Sequence, residues 1–159
     1  MPQRVRDVSW PARLARVEER LAQLERTGWE RDELPLYATT FTAMPFSDST
    51  SFSTLLENTF TPRTASLALG LTFVGDQVAG VNTGGEWQVL LAGAVVWSGL
   101  VAATYTVQYA VTTLDLLPYR GATELLIQIQ TRRTAGANTG GRNGNGGSIG
   151  LSPRFARFA

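Results

Sequence analysis

The sequence predicts a mainly β protein: an N-terminal coiled-coil helix followed by an antiparallel β-sandwich of jelly-roll type. Two observations carry this. Charge is concentrated at one end, where residues 1–33 hold seven of the 14 arginines and seven of the 13 acids. Apolar residues recur with helical spacing in that segment and alternate with period two in most of the remaining chain. The chain therefore divides into an N-terminal tail (1–8), a coiled-coil helix (9–27), a connector (28–45) holding Pro35 and Pro45, and a β-sandwich domain (46–159).

The helix starts near Ser9, a good N-cap, with Pro11 tolerated in the first turn. It stops at Thr27, where Gly28 can take the left-handed conformation of a C-cap. Trp10, Leu14, Val17, Leu21 and Leu24 alternate at spacings of four and three, a heptad seam with Leu14 and Leu21 at a. Arg13 and Arg20 then occupy g, and Glu18 and Glu25 occupy e. Parallel chains set Arg13 against Glu18 and Arg20 against Glu25, whereas antiparallel chains set like charges together. The pattern selects parallel chains. Eighteen residues at ~1.5 Å each give a rod of ~27 Å, too short to hold an assembly alone. The β domain is expected to supply the larger interface.

In the β domain, Leu67, Leu69, Leu71 and Phe73 share one face of a strand, as do Trp87, Val89 and Leu91. Tyr105, Val107, Tyr109 and Val111 form a third set. Leu125, Ile127 and Ile129 form a fourth, with Gln128 and Gln130 opposite. Further strands are expected near 39–42, 94–97 and 149–158. Turns are expected at Gly75-Asp76, at 82–85, at Ser98-Gly99 and at 118–121, while 47–56 reads as a loop or short helix. Seven or eight such strands suit a jelly roll. Thr104, Thr106 and Thr112 are expected on outer faces, letting subunits pack without burying charge.

Composition excludes much chemistry. There is no Cys and no His, so thiolate nucleophiles, His-based triads and the common zinc sites are absent. No apolar run reaches the 18 or so residues of a membrane span, so no membrane insertion is expected. The net charge of +1 lacks the field of a nucleic-acid binder. The acids Asp48, Glu57, Asp76, Glu86, Asp115 and Glu124 stand in no catalytic or metal-ligand spacing, so no enzyme activity, cofactor or metal is expected.

Two segments invite a binding role. Residues 135–150 hold seven glycines and one charge, Arg142, without the order of a phosphate-binding loop. They read as a mobile connection, or as a receptor loop presenting Asn138, Arg142, Asn143 and Asn145. The C-terminal Arg154-Phe155-Ala156-Arg157-Phe158 could stack on a nucleic acid, but reads better as a closing strand.

Arg13-Leu14-Ala15-Arg16-Val17-Glu18 resembles the short trimerisation motif of coiled coils, and Arg20-Leu21-Ala22-Gln23-Leu24-Glu25 repeats it one heptad later. The resemblance implies a parallel homotrimer held by Arg13, Leu14, Val17, Glu18, Arg20, Leu21, Leu24 and Glu25. A short trimeric coil, a lightly charged sandwich and a glycine-rich loop together resemble the small proteins of phage tail tips. The Arg-only basic composition is similar to that of phages of GC-rich hosts. That resemblance implies a non-enzymatic virion protein of the tail fibre or minor tail class, assembled in the host cytoplasm. Its partners would be its own copies, other tail proteins and a host surface polysaccharide. The alternatives are a capsid decoration or head-fibre protein, a trimeric glycan-active enzyme with carboxylates at subunit boundaries, and a bacterial trimeric binding module.

Overall fold

The structure is a computed structural model and describes residues 17–19, 33–34, 36–38 and 44–159. Residues 17–19 are helical and exposed. Of the expected trimerisation residues these include Val17 and Glu18. Arg13, Leu14, Arg20, Leu21, Leu24 and Glu25 lie outside the described residues, as does the strand expected at 39–42.

The rest is β. In chain order the strands are β1 (Tyr37–Ala38), β2 (Phe46–Ser47), β3 (Ser53–Phe60), β4 (Ser66–Gly75), β5 (Gln77–Val78), β6 (Val81–Asn82), β7 (Gly84–Leu91), β8 (Ala94–Val101), β9 (Gln108–Asp115), β10 (Leu125–Ala135) and β11 (Ile149–Phe158). One sheet runs β1-β3-β10-β7-β8 and the other β2-β11-β4-β9, all antiparallel. Setting aside the short β1, this is the strand order of a jelly roll, in which two Greek keys wrap two four-stranded sheets face to face. β5 and β6 form a separate hairpin.

The core lies between the sheets. Leu67, Leu69, Leu71 and Phe73 from β4 meet Trp87, Val89 and Leu91 from β7 and Leu125, Ile127 and Ile129 from β10. Phe73 stacks on Trp87 at 5.0 Å between centroids, and Trp97 meets Trp87 edge-on at 4.4 Å. Outside the core, Gln88 donates to Gln130 and Gln130 to Thr54 across three strands, at 2.7 and 3.0 Å. Inside it, Thr131 is fully buried, and its Oγ1 has no partner among the described residues. A stranded buried hydroxyl costs stability that an isosteric methyl does not. Thr131→Val should therefore raise the unfolding free energy by about 1 kcal/mol, read as a higher urea midpoint at unchanged slope.

Four local expectations are corrected. Segment 47–56 is loop at 48–52, as one reading had it, but 53–56 opens β3, which was hidden because a bulge opposite Ile129 and Gln130 puts both Leu55 and Leu56 inside and breaks the alternation. Ser98-Gly99 is no turn but the middle of β8. Gly99 lies opposite Trp87, and a Cβ there would come within 2.6 Å of the indole. The turn falls instead at Ala92-Gly93, where φ is 49° and 81°, the positive pair of a tight hairpin.

The turn expected at 82–85 is displaced in the same way: Asn82 ends β6, Gly84 and Gly85 open β7, and the turn lies at Ala79-Gly80, where φ is 50° and 81°. The fourth correction concerns β9. Its pairing with β4 sets Leu69 opposite Thr112, Leu71 opposite Ala110 and Phe73 opposite Gln108. Opposed residues share a face, so the smaller and polar residues of β9 turn toward the core beside bulky neighbours. Thr112 is half-buried, not on the outer face. Its apolar residues turn outward: Tyr109 and Val111 are 62% and 61% exposed, as are Tyr105 and Val107, at 66% and 51%, in the connection before it.

Candidate functional site

The glycine-rich segment joins β10 to β11 at one end of the sandwich, and its base is built into the fold. Arg133, the last inward residue of β10, is 8% exposed. Its guanidinium donates to the carbonyl of Asp48 at 3.3 Å, to the carbonyl of Ala137, and to Asn138 Oδ1 at 3.2 Å. The returning chain is held from the other side by Asp76. Asp76 Oδ1 accepts from Thr83 Oγ1 at 2.8 Å and from the Ser148 N–H at 2.7 Å, and Oδ2 accepts from Ser148 Oγ at 2.7 Å. The Gly147 N–H closes the base on the Ala137 carbonyl at 3.0 Å.

Glycine is required here by packing. A Cβ at Gly147 would lie 1.8 Å from Thr83 Oγ1, and one at Gly146, where φ is +107°, would lie 2.1 Å from the Ala137 carbonyl oxygen. Residues 146–150 are buried, and the exposed residues of the segment are Ala135 and the tip, 138–145. The base of the segment is therefore packed into the fold, and its tip is exposed.

The four expected receptor residues separate in the structure. Asn138 accepts from Arg133, Asn143 donates to Asp48 Oδ2 at 3.4 Å, and Asn145 bridges to Gly140. Arg142 alone reaches across to the body of the sheet, its Cζ 4.9 Å above the centre of the Phe46 ring.

There the segment borders a hollow of about 300 Å³ on the outer face of the β2-β11-β4-β9 sheet. Gly150 pairs with Phe46 on one side and Val74 on the other. Lacking a side chain, Gly150 leaves a depression between them, roofed at one edge by Met44. Tyr105 and Val107 form the far wall, and Asp76 and Ser148 close the end. The same face carries two more stacked guanidinium groups: Arg154 lies 4.9 Å over Tyr109, and Arg157 5.6 Å over Phe155. Phe155 can lie on the sheet because Gly70 beneath it has no side chain. The C-terminal segment is thus a closing strand, its Phe158 in the core and its arginines outside. Sequence reasoning missed Phe46 and Met44, which no local pattern connects to Arg142.

A second surface lies along one side of the sandwich. β8 and β9 are the terminal strands of their sheets on that side and are joined directly. From Trp87 to Leu114 the chain carries no charged residue, and Leu100 is 76% exposed, with Val95, Val96 and Val111 exposed as well.

Most acids of the domain have structural partners. Asp76 holds Thr83 and Ser148. Glu86 pairs with Arg132 at 2.7 Å, Asp115 accepts from the Leu117 N–H at 2.9 Å, and Glu57 accepts from Gln128 at 3.2 Å. Among the described residues no three acids converge as metal ligands.

No protein-family model and no curated protein matches the chain in sequence. A solved structure titled "CBM4 structure and function" is 15% identical and aligns over 78% of this chain and 87% of that chain, with a TM-score of 0.36.

Proposed function

We propose that the protein is a non-catalytic homotrimer of the phage tail fibre or minor tail class, with an N-terminal parallel coiled coil and a jelly-roll head that attaches to a glycan of the host surface. The observation that carries the reading is the exposed apolar side of the sandwich formed by β8 and β9. Exposed sheet edges invite pairing with other chains, and soluble proteins usually guard them with charges, prolines or cover. Here two terminal strands lie side by side with a single charge, Asp115 at the end of β9, and Val95, Val96, Leu100 and Val111 are exposed to solvent.

The occupant best suited to that side is a second copy of the chain. The tandem heptads at 13–18 and 20–25 call for three parallel copies, and a threefold arrangement brings the same side of each head to the axis. The stalk sets direction and number; the β8–β9 sides supply the buried area. Placement in a virion rests on the short stalk, the compact head and the Arg-only composition. Attachment rests on the hollow and the loop tip at the end of the head.

Size-exclusion chromatography with light scattering tests the assembly. The expected mass is about three times the 17.2 kDa chain. A monomer at micromolar concentration would refute the reading.

A further inference from the structure

We propose that the hollow over Gly150 binds an oxyanion-bearing unit of an acidic surface polymer, a uronate carboxylate or a phosphodiester, with Arg142 as the anion-binding group. The proposal rests on the attachment reading and names the chemistry of its ligand. Arg142 is held over the face of Phe46. A guanidinium stacked in this way keeps its in-plane N–H groups free, as a fork matched to two acceptor oxygens. Among the described residues, neither Arg142 nor Arg154 pairs with a carboxylate, whereas Arg157 is neutralised by Glu33 at 3.1 Å. The carboxylate at the end of the hollow, Asp76, has both oxygens engaged by Thr83 and Ser148. Asp76 keeps its charge, since its donors are neutral, but Arg142 and Arg154 outnumber it, and the face carries a net positive charge.

Shape supports one sugar or polyol unit. About 300 Å³ stands at the small end of ligand sites. The floor at Gly150 and Val74 is apolar, and the exposed Tyr105 offers a flat wall with a polar tip, which suits the apolar C–H face and hydroxyl rim of a pyranose. Tyr109 lies two residues beyond Val107, so the Arg154 guanidinium follows about 7 Å further along the strand, within reach of the next charge of a polymer. A nucleic acid fits less well. Its bases need open ring faces to stack on, and those of Phe46 and Tyr109 carry guanidinium groups.

The test uses the full chain over surfaces bearing polygalacturonate, poly(glycerol phosphate) or neutral dextran, with a thymidine oligonucleotide as a fourth surface. Retention on polygalacturonate, on poly(glycerol phosphate) or on both is expected at least tenfold above dextran, and the pattern identifies the source of the oxyanion. Arg142→Gln should lower that retention at least tenfold, because a small loss per site multiplies over several sites. Arg120→Gln makes the same charge change at the opposite end of the sandwich and should leave it unaltered. Equal retention on dextran, equal effects of the two substitutions, or retention on the oligonucleotide alone would overturn the proposal. Light scattering of the same samples separates the two readings. A trimer that ignores both acidic polymers refutes the anion site and leaves the assembly standing; a monomer that binds them through Arg142 does the reverse.

Discussion

Leu100→Glu combined with Val111→Glu should convert the proposed trimer to a species of one chain mass, with the melting temperature of the head nearly unchanged. Leu100 is 76% and Val111 61% exposed in the single chain, so neither side chain contributes much to the folding of one head. A glutamate at either position would sit in water at negligible cost if the surface were free. In a threefold assembly the same two changes place six carboxylates in the contact, each desolvated and facing its like, at a cost of several kcal/mol. The stalk cannot compensate, since helices of this length are marginal alone. Light scattering reads the mass, and circular dichroism reads the retained β signal. A doubly substituted protein that stays trimeric would place the interface elsewhere on the head. An unfolded one would mean the two residues serve the core, against their exposure.

How much of the fold was legible in the sequence depended on whether a strand buries one clean face. β4, β7 and β10 announce themselves because every second residue enters the core, as Leu67 to Phe73 and Leu125 to Ile129 do. The antiparallel sandwich follows from those strands and the turns between them. β3 was hidden because its bulge shifts the alternation at Leu55, and a period-two reading cannot register an extra residue. Gly99 looked like a turn because its reason is tertiary: the Trp87 indole lies where a side chain would be. β9 is the instructive case. Its apolar period was visible, but periodicity cannot say whether the apolar face meets the protein's own core or another chain. Its pairing with β4 shows that the apolar face turns away from the protein's own core.

The site was legible only at Arg142. Phe46, Val74, Tyr105, Val107, Arg142 and Gly150 come from β2, β4, the β8–β9 connection, the β10–β11 segment and β11. No local motif spans them, because the jelly-roll order sets β11 between β2 and β4. The composition of 135–150 suggested flexibility, yet the glycines at 146 and 147 mark places where backbone and side chains pass too closely for any Cβ.

Asp76→Ala should cost about 3–5 kcal/mol of stability, since it strands buried donors at an end of the sandwich where three segments meet. Thr83 is fully buried and Ser148 is 3% exposed. Their hydroxyls and the Ser148 N–H all donate to this one carboxylate. Alanine leaves these buried donors without their acceptor at the end of the hollow, each carrying a desolvation cost of about 1–3 kcal/mol. Two backbone bonds survive, from the Asp76 N–H to the Ser148 carbonyl and from the Thr83 N–H to the Asp76 carbonyl, so the strands should still pair. What should be lost is the fixed exit of the loop into β11. Hydrogen exchange should therefore rise first at 146–148 and at Thr83, while amides in the middle of β4 and β7 keep their order of protection at a lower global stability. Asp76→Asn keeps one acceptor oxygen for the Ser148 N–H and Thr83 and should lose about half as much. Equal stability of Asp76→Ala and the parent protein in urea would show that water replaces the carboxylate, and that Arg133 and the surviving backbone bonds suffice to hold the loop base.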